Sequence, residues 1–451
     1  MDPLRRSLLG AGAGSGLGLL AGLPSAMAAG GAQGPALDAR KLGLRPDAPG
    51  DQTAALQAAV DRAAADGAPL FLPAGRYETG NLRISRPAAV IGVPGLTRLV
   101  FTGGPPLLSV AQTGSVTLSG LTFDGAGRAF DDTDDGALLV ARGVDGLTVE
   151  ACTVTASTGS GMDLGDCSGR IAGNTISSVA RTGLFALDSR GLEVAGNRLG
   201  DIGNNGIQIW RSAAGEDGTL VTGNRIEAVR ADAGGSGQNG NGINIFRANG
   251  VTVADNHVAD CAFSAVRGNA ASSLRIADNQ CRHLGEVALY AEFAFEGAVI
   301  SGNIVEDAAI GISMTNFNEG GRLAVCSGNL VRGLKVLPDA PDERGIGIAA
   351  EADTAISGNV VEDAPRTGIM LGWGRYMRDV NATGNIVRNA RWGIAASVSK
   401  GAGRALVTGN TVSGTGEYAI VGHDHGRAAT GELADGSTPA PANLLVANNQ
   451  A

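Results

Sequence analysis

A small set of residues in this chain has types that can do acid and base work together. Arg267, Tyr290 and Glu292 fall close in sequence, as do Asp163, Asp166 and Asp188. In elimination or epimerisation at a uronic acid, arginines neutralise the carboxylate, the α-proton becomes acidic, and an Arg, Tyr or His takes it. Arg267 and Tyr290, expected one coil apart, would be the base and proton donor for such a step. In hydrolysis the available carboxylates are Asp163, Asp166, Asp188 and Glu292. The like-charged neighbours Asp166 and Asp188 can hold one proton between them as a general acid.

A second set has binding character. Trp210 and Phe246, beside Gln208 and Asn244, offer flat apolar faces next to hydrogen-bonding amides, which suits a polysaccharide or oligosaccharide. The same rings stacked on neighbouring repeats would also stabilise a scaffold, and both readings stand. Arg211 and Arg247 are expected about 5 Å apart, where repulsion on the order of 1 kcal/mol calls for an anion or for Asp188 or Glu216. His423-Asp424-His425 resembles the His and Asp pairing of mannuronan epimerases, and competes with the reading of a local turn.

These residues are brought together by a repeat. Asparagine recurs at Asn174, Asn197, Asn224, Asn256, Asn279, Asn303, Asn329, Asn359, Asn385 and Asn410, usually after Gly or Asp and between runs in which Ile, Val and Leu alternate with small or polar residues. A period of two means strands, and a fixed spacing means one structural unit per interval. A second strand signature follows, opened by Gly or Ala, as in Gly206-Ile207-Gln208-Ile209, so two strands per unit are expected. The reading is an all-β chain: a single right-handed parallel β-helix of about thirteen coils with an N-terminal α-helical cap. The asparagines then stack at one corner, each amide donating and accepting along the stack.

Counting outward positions from the Gly or Ala gives two columns on one face. The first runs Asp163, Phe185, Gln208, Asn244, Arg267, Tyr290, Ser313, Gly347, Met370. The second runs Gly165, Leu187, Trp210, Phe246, Asn269, Glu292, Thr315, Ala349, Gly372. Coils lengthen on both flanks of this Gly-initiated sheet, at Arg230 to Asn241 and Leu334 to Arg344 before it and at Arg211 to Thr219, Asn316 to Arg322, Gly372 to Asp379 and Ser397 to Arg404 after it. Walls raised beside a sheet make a groove, and polar and aromatic residues concentrate between Asp163 and Phe293.

The bulk properties agree with a solenoid. Aromatic residues are 4% of 451 while glycines number 71, so small and β-branched side chains must fill the core. A net charge of -9 argues against nucleic-acid or anionic-membrane binding. Of the five cysteines, Cys261, Cys281 and Cys326 occupy slots that Ile, Val, Leu or Ala fill elsewhere; the set reads as small core residues, against a disulfide or metal pair. No redox cofactor motif and no metal-ligand cluster is present. Calcium stays open on the loop Asp124 to Asp135, but an EF-hand is excluded because Arg142 stands where a bidentate Glu is required.

Leu4-Arg5-Arg6-Ser7-Leu8-Leu9-Gly10, a Gly-rich apolar run and Ala26-Met27-Ala28 read as a twin-arginine signal over residues 1–28. The expected route is the Tat translocase, the destination periplasmic or extracellular, with no membrane span in the mature chain. Residues 29–105 read as the cap and first strands. Here Asp51-Gln52-Thr53 opens an amphipathic helix that Gly67 ends, followed by Leu70-Phe71-Leu72-Pro73-Ala74-Gly75-Arg76-Tyr77. Residues 106–451 are the repeat domain. Helix, strand, Pro-Ala-Gly-x-Tyr and Asn coils in this order resemble the pectate-lyase-like superfamily. With the twin-arginine start they resemble, more narrowly, the twin-arginine-translocated β-helix repeat family. The resemblance implies the β-helix fold, in a superfamily of lyases, hydrolases, epimerases and non-catalytic proteins.

Overall fold

A computed structural model describes residues 35–131, 136–235, 237–337 and 344–451. The twin-arginine segment and four residues of the acidic loop lie outside these ranges. The described chain winds into about fourteen turns of a parallel β-helix. Winding already begins with Leu37–Asp38, which pairs with Leu70–Phe71, and this in turn pairs with Ala88–Ile91. Coils therefore precede residue 106, in a stretch without the asparagine that marks later ones.

Each regular coil contributes three strands, where the sequence pattern reads two. The strands Arg198–Ile202 and Asn205–Glu216 are separate, and so is the short strand Glu193–Ala195 before the asparagine corner. The apolar alternation runs through Gly196-Asn197 in sequence, but Gly196 takes φ +63° and bends the chain there, so the residues on either side join different sheets. At two later corners Asp255 and Asp278 adopt the same left-handed conformation, with φ +57° and +58°.

The corner is sealed by the asparagines. Asn174 donates from its backbone N–H and from Nδ2 to Asn197 Oδ1, both at 3.0 Å, and from Nδ2 to the Val149 carbonyl at 2.9 Å. The same pattern repeats coil by coil until Asn410 donates to Asn449 at 3.0 and 2.9 Å. Every amide thus satisfies backbone groups that the corner would otherwise bury unpaired.

Beside this corner run aliphatic columns. Ile207, Ile243, Val266, Leu289, Ile312, Ile348, Ile369, Ile394 and Ile420 lie in register and are fully buried. The residue before each is Gly or Ala for want of room. A Cβ on Gly368 would sit 2.3 Å from Val387 Cγ1 and 2.6 Å from the Gly393 carbonyl oxygen. All five cysteines are free and buried among these columns. Burial pushes the Cys281 thiol up to about 12.

The cap helix spans Thr53–Asp66, buries Leu56, Ala59, Val60 and Ala63, and ends at Gly67 with φ 63°. It packs on Leu82–Ile84 and Ala88–Ile91. Among the described residues no helix is long and apolar enough to cross a membrane. Because Asn279 completes hydrogen bonds to two coils at once, Asn279→Ala should lower unfolding free energy by about 1 to 3 kcal/mol, read by chemical denaturation against the parent.

Candidate functional site

The Gly-initiated sheet faces outward with the two columns expected, as far as Ser313 and Thr315. In the next coil alone the register differs by two residues, and Met370 in the coil after it falls back into the expected column. Ser313 pairs with Ala349 and Ala349 with Met370, so Gly347 lies inward and Glu351, not Ala349, follows Thr315. Gly345-Ile346-Gly347-Ile348 offers two glycines in alternation, and the second opens the strand because Val361 Cγ1 would lie 2.4 Å from any Cβ there. The sequence count thereby missed a carboxyl group on the groove face.

In the earlier coils the polar residues satisfy one another. Arg267 is bidentate to Glu292, with Nε to Oε1 at 2.5 Å and Nη2 to Oε2 at 3.0 Å, and Asn269 donates to Oε1 at 3.0 Å. Glu292 is 1% exposed and Arg267 11%. Arg267 is therefore the counter-ion of a buried carboxylate, with its guanidinium carbon 5.4 Å from the Tyr290 ring centroid. Arg267, Tyr290 and Glu292 do come together. Tyr290 is half-buried, and desolvation, with Glu292 beside it, pushes its phenol up to about 12.

Phe185, Trp210 and Phe246 stack at 5.5 Å between centroids, but edge-on or tilted by 86° and 60°. Trp210 donates to Asn244 at 2.8 Å, Gln208 accepts from Thr182 at 2.7 Å, and Arg247 lies 4.6 Å over Phe246. The rings pack on each other rather than presenting one flat platform. Arg247 does not stand opposite Arg211 as expected. Pairing stops at Trp210 and Phe246 and resumes at Gly215 and Ala248, because the strand bulges between. Arg247 instead donates to the Ser212 carbonyl at 2.9 Å. Asp166 is exposed and Asp188 half-buried, and both line a shallow cleft with Asp163 and Phe185. Burial pushes Asp188 up, but hydrogen bonds from Ser212 outweigh it and hold the carboxyl below its ordinary range.

A deeper arrangement occupies the later coils. Tyr290, Thr315, Asn316, Arg344 and Glu351 surround a floor of Ile310, Ile346, Ala349 and Met370 that ends against Trp373. Ile346, Met370 and Trp373 also line a second cleft, of about 390 Å³, with Arg366, Arg391, Trp392, His425 and Arg427. The two clefts form one groove. Its far wall is a hairpin in which Tyr418–Asp424 pairs antiparallel with Arg427–Glu432. His425 and Gly426 at its tip have φ 48° and 75°, a tight two-residue turn. The His423-Asp424-His425 run is thus a local turn. His423 is fully buried, and burial lowers its pKa to about 4.

Glu351 is 9% exposed. Its Oε2 accepts from the Phe317 N–H at 2.6 Å, and among the described residues it has no ion pair. Burial raises its carboxyl above the ordinary range, with the Phe317 and Asn316 N–H groups opposing. Neighbouring Asp353 is held to about 2 by hydrogen bonds from Arg378 and Arg322. Two carboxyls two residues apart are therefore driven in opposite directions.

A model described as the right handed beta helix region matches residues 107–237 and 166–333, together half of the chain. The chain belongs to the right-handed β-helix family. Solved structures similar to it include the pre-mature gene product 12 of bacteriophage phi29, 15% identical with TM-score 0.51, covering 86% of this chain and 54% of that one. The catalytic unit of a thermostable GH87 α-1,3-glucanase from Streptomyces thermodiastaticus strain HF3-3 is 14% identical with TM-score 0.50, covering 94% and 70%. A PL6 alginate lyase complexed with a trisaccharide is 13% identical with TM-score 0.48, covering 84% and 85%. At such identities the likeness is one of fold. This right-handed β-helix spans about half the length of the phage protein, and no curated protein matches its sequence.

Residues missed by sequence reasoning in this β-helix are Glu351, Trp373, Arg344, Arg366, Trp392 and Arg427. Trp373 and Arg427 sit in turns and a hairpin outside the repeat, where no periodicity marks them. Glu351 would have been found had the strand been counted from Gly347. Because its folded pKa is raised, the stability Glu351 contributes is complete below its unfolded pKa and is lost as pH rises through the folded value. Glu351→Gln should therefore gain stability over the parent progressively as pH rises above about 4.3, the ordinary Glu value, seen as a widening difference in melting temperature.

Proposed function

We propose that this chain is an exported β-helix that binds an acidic polysaccharide along the Gly-initiated sheet and processes it by chemistry directed at a uronic acid. The observation that carries this reading is the shared Trp373. It is half-buried, its ring lies 5.9 Å from His425 at 90°, and it joins the cleft of Tyr290 and Glu351 to the cleft of Arg366, Arg391 and Arg427. A flat apolar face set between hydrogen-bonding groups and cations suits a sugar ring carrying a carboxylate. Arg427 is exposed and has no ion pair among the described residues. Arg391 is held by Glu417 at 2.8 Å and lies 5.4 Å from the Trp392 centroid.

The groove occupies the coils from Tyr290 to Trp392, further along than the stretch from Asp163 to Phe293 that the sequence suggests. The glucanase among its structural neighbours acts on a polysaccharide by name. At that distance its fold, and not its reaction, is what is shared.

Binding is tested by titrating the full chain with uronate polymers and neutral glucans. Trp373→Ala should weaken uronate binding by about 1 to 3 kcal/mol, while Trp210→Ala should bind as the parent does. Added salt should weaken uronate binding, and Arg427→Gln should flatten that dependence. Equal affinity for neutral and acidic chains would defeat the acidic reading.

Export through the Tat translocase to the periplasm or beyond rests on Arg5 and Arg6. Replacing both with Lys should leave folded protein in the cytoplasm on fractionation, whereas unchanged export would point to another route.

A further inference from the structure

We infer that Glu351 and Tyr290 are the base and the acid of a β-elimination carried out in the cleft that they share. The inference rests on the polysaccharide reading above and assigns its reaction and its reacting groups.

Three observations carry it. Glu351 and Tyr290 line the same cleft, of about 160 Å³, floored by Ile310, Ile346 and Met370 and ended by Trp373. Glu351 is anchored through one oxygen, Oε2, by the Phe317 N–H at 2.6 Å. That donor belongs to the short helix Phe317–Glu319, whose Phe317 ring lies under Arg378 at 4.5 Å. The anchoring turn is thus pinned, while the carboxyl reaches the cleft. Finally, the carboxylate nearest along the same column, Glu292, is closed off: Arg267 and Asn269 take its oxygens and it is 1% exposed.

The count of carboxyls decides between reactions. Hydrolysis of a glycosidic bond uses two, one to protonate the leaving oxygen and one to activate water or attack carbon. Among the described residues this cleft presents one. Elimination needs one base and one acid, and the groove supplies both. Burial raises the Glu351 carboxyl, which makes its ionised form a stronger base than an ordinary carboxylate. Desolvation pushes Tyr290 up to about 12, which weakens it as an acid but leaves its phenol protonated at neutral pH and still more acidic than the sugar hydroxyl that leaves. Charged groups near the cleft are Arg344, whose Nη2 lies 3.1 Å from Glu286, Asp353, held by Arg322 and Arg378, and, on the Tyr290 side, Glu286 and the paired Arg267 and Glu292. Arg344 lines the cleft and is the cation that would stand beside a substrate carboxylate.

In the step, the ionised Glu351 takes the proton from the carbon next to the substrate carboxylate. That electron pair forms the carbon–carbon double bond, the glycosidic C–O bond at the adjacent carbon breaks, and the leaving oxygen takes the Tyr290 phenolic proton. The products are an unsaturated uronate and a new chain end. The proton on Glu351 returns to the phenolate through solvent, and nothing is oxidised or reduced.

The test uses the full chain with alginate, polygalacturonate and chondroitin, scoring binding, the ultraviolet absorbance of the unsaturated product, and new reducing ends. The expected result is that a bound polymer yields both signals in equal amount. Glu351→Gln, which keeps the acceptor for Phe317, and Tyr290→Phe should each lower the rate at least about 100-fold, with binding changed less than about twofold. The parent rate should rise with pH through the Glu351 pKa, and Tyr290→Phe should keep that rise. Reducing ends without the chromophore would mean hydrolysis and overturn the inference while leaving the groove reading intact. So would binding with no product. Failure of every polymer to bind would bring down the groove reading and this inference with it. Full activity in a folded Glu351→Gln variant would remove Glu351 from the chemistry.

Discussion

The structure depends on one hydrogen-bonded contact made again and again. Each asparagine oxygen accepts from both the backbone and the side chain of the asparagine one coil earlier, and each amide nitrogen reaches a carbonyl further back still. The contact tolerates no slip, since a shift of one residue would exchange inward and outward side chains throughout a coil. The aliphatic columns keep their register because the corner does. The two outward columns of the Gly-initiated sheet inherit the same spacing, and this is what sets Tyr290 and Glu351 on one face although 60 residues of chain, 291 to 350, intervene.

The groove shows what a repeat supplies and what it leaves to exceptions. The floor is repeat: Ile310, Ile346 and Met370 are ordinary members of columns. The walls are not. Trp373 comes from a lengthened turn, and Arg427 from an antiparallel hairpin laid against a parallel sheet. Charged groups follow the same division. Within the sheet Arg267 and Glu292 neutralise each other in near-complete burial, while Glu351, next to a lengthened turn, meets only backbone donors and is raised by its burial. Asp353, two residues on and paired with Arg378 and Arg322, is shifted down where Glu351 is shifted up.

The fold was legible because its determinants are local and periodic. Alternation of Ile, Val and Leu, the recurring Asn, and Gly67 after an amphipathic helix each name their own structure. The third strand per coil was hidden because the corner bend at Gly196 interrupts direction without interrupting alternation. Much of the site was illegible for a related reason. Glu351 was lost to a choice between Gly345 and Gly347 that only packing against Val361 resolves. Trp373 and Arg427 lie where the period fails. The bulge after Trp210 broke a column that arithmetic had continued to Arg211 and Arg247. Periodicity predicts what repeats, and the groove is made by departures from it.

The ladder has a further consequence for how the chain reaches this state. Its backbone-to-side-chain bonds join residues 22 to 39 positions apart, in a chain of 451. Each coil closes a small loop onto one already formed, so the entropy of closure is met in short instalments and never as one long excursion. The separation within the ladder stays near one coil however many coils are stacked. Structure can start in any well-packed pair of coils and extend toward both ends as a zipper does, each new coil reading its register from the last.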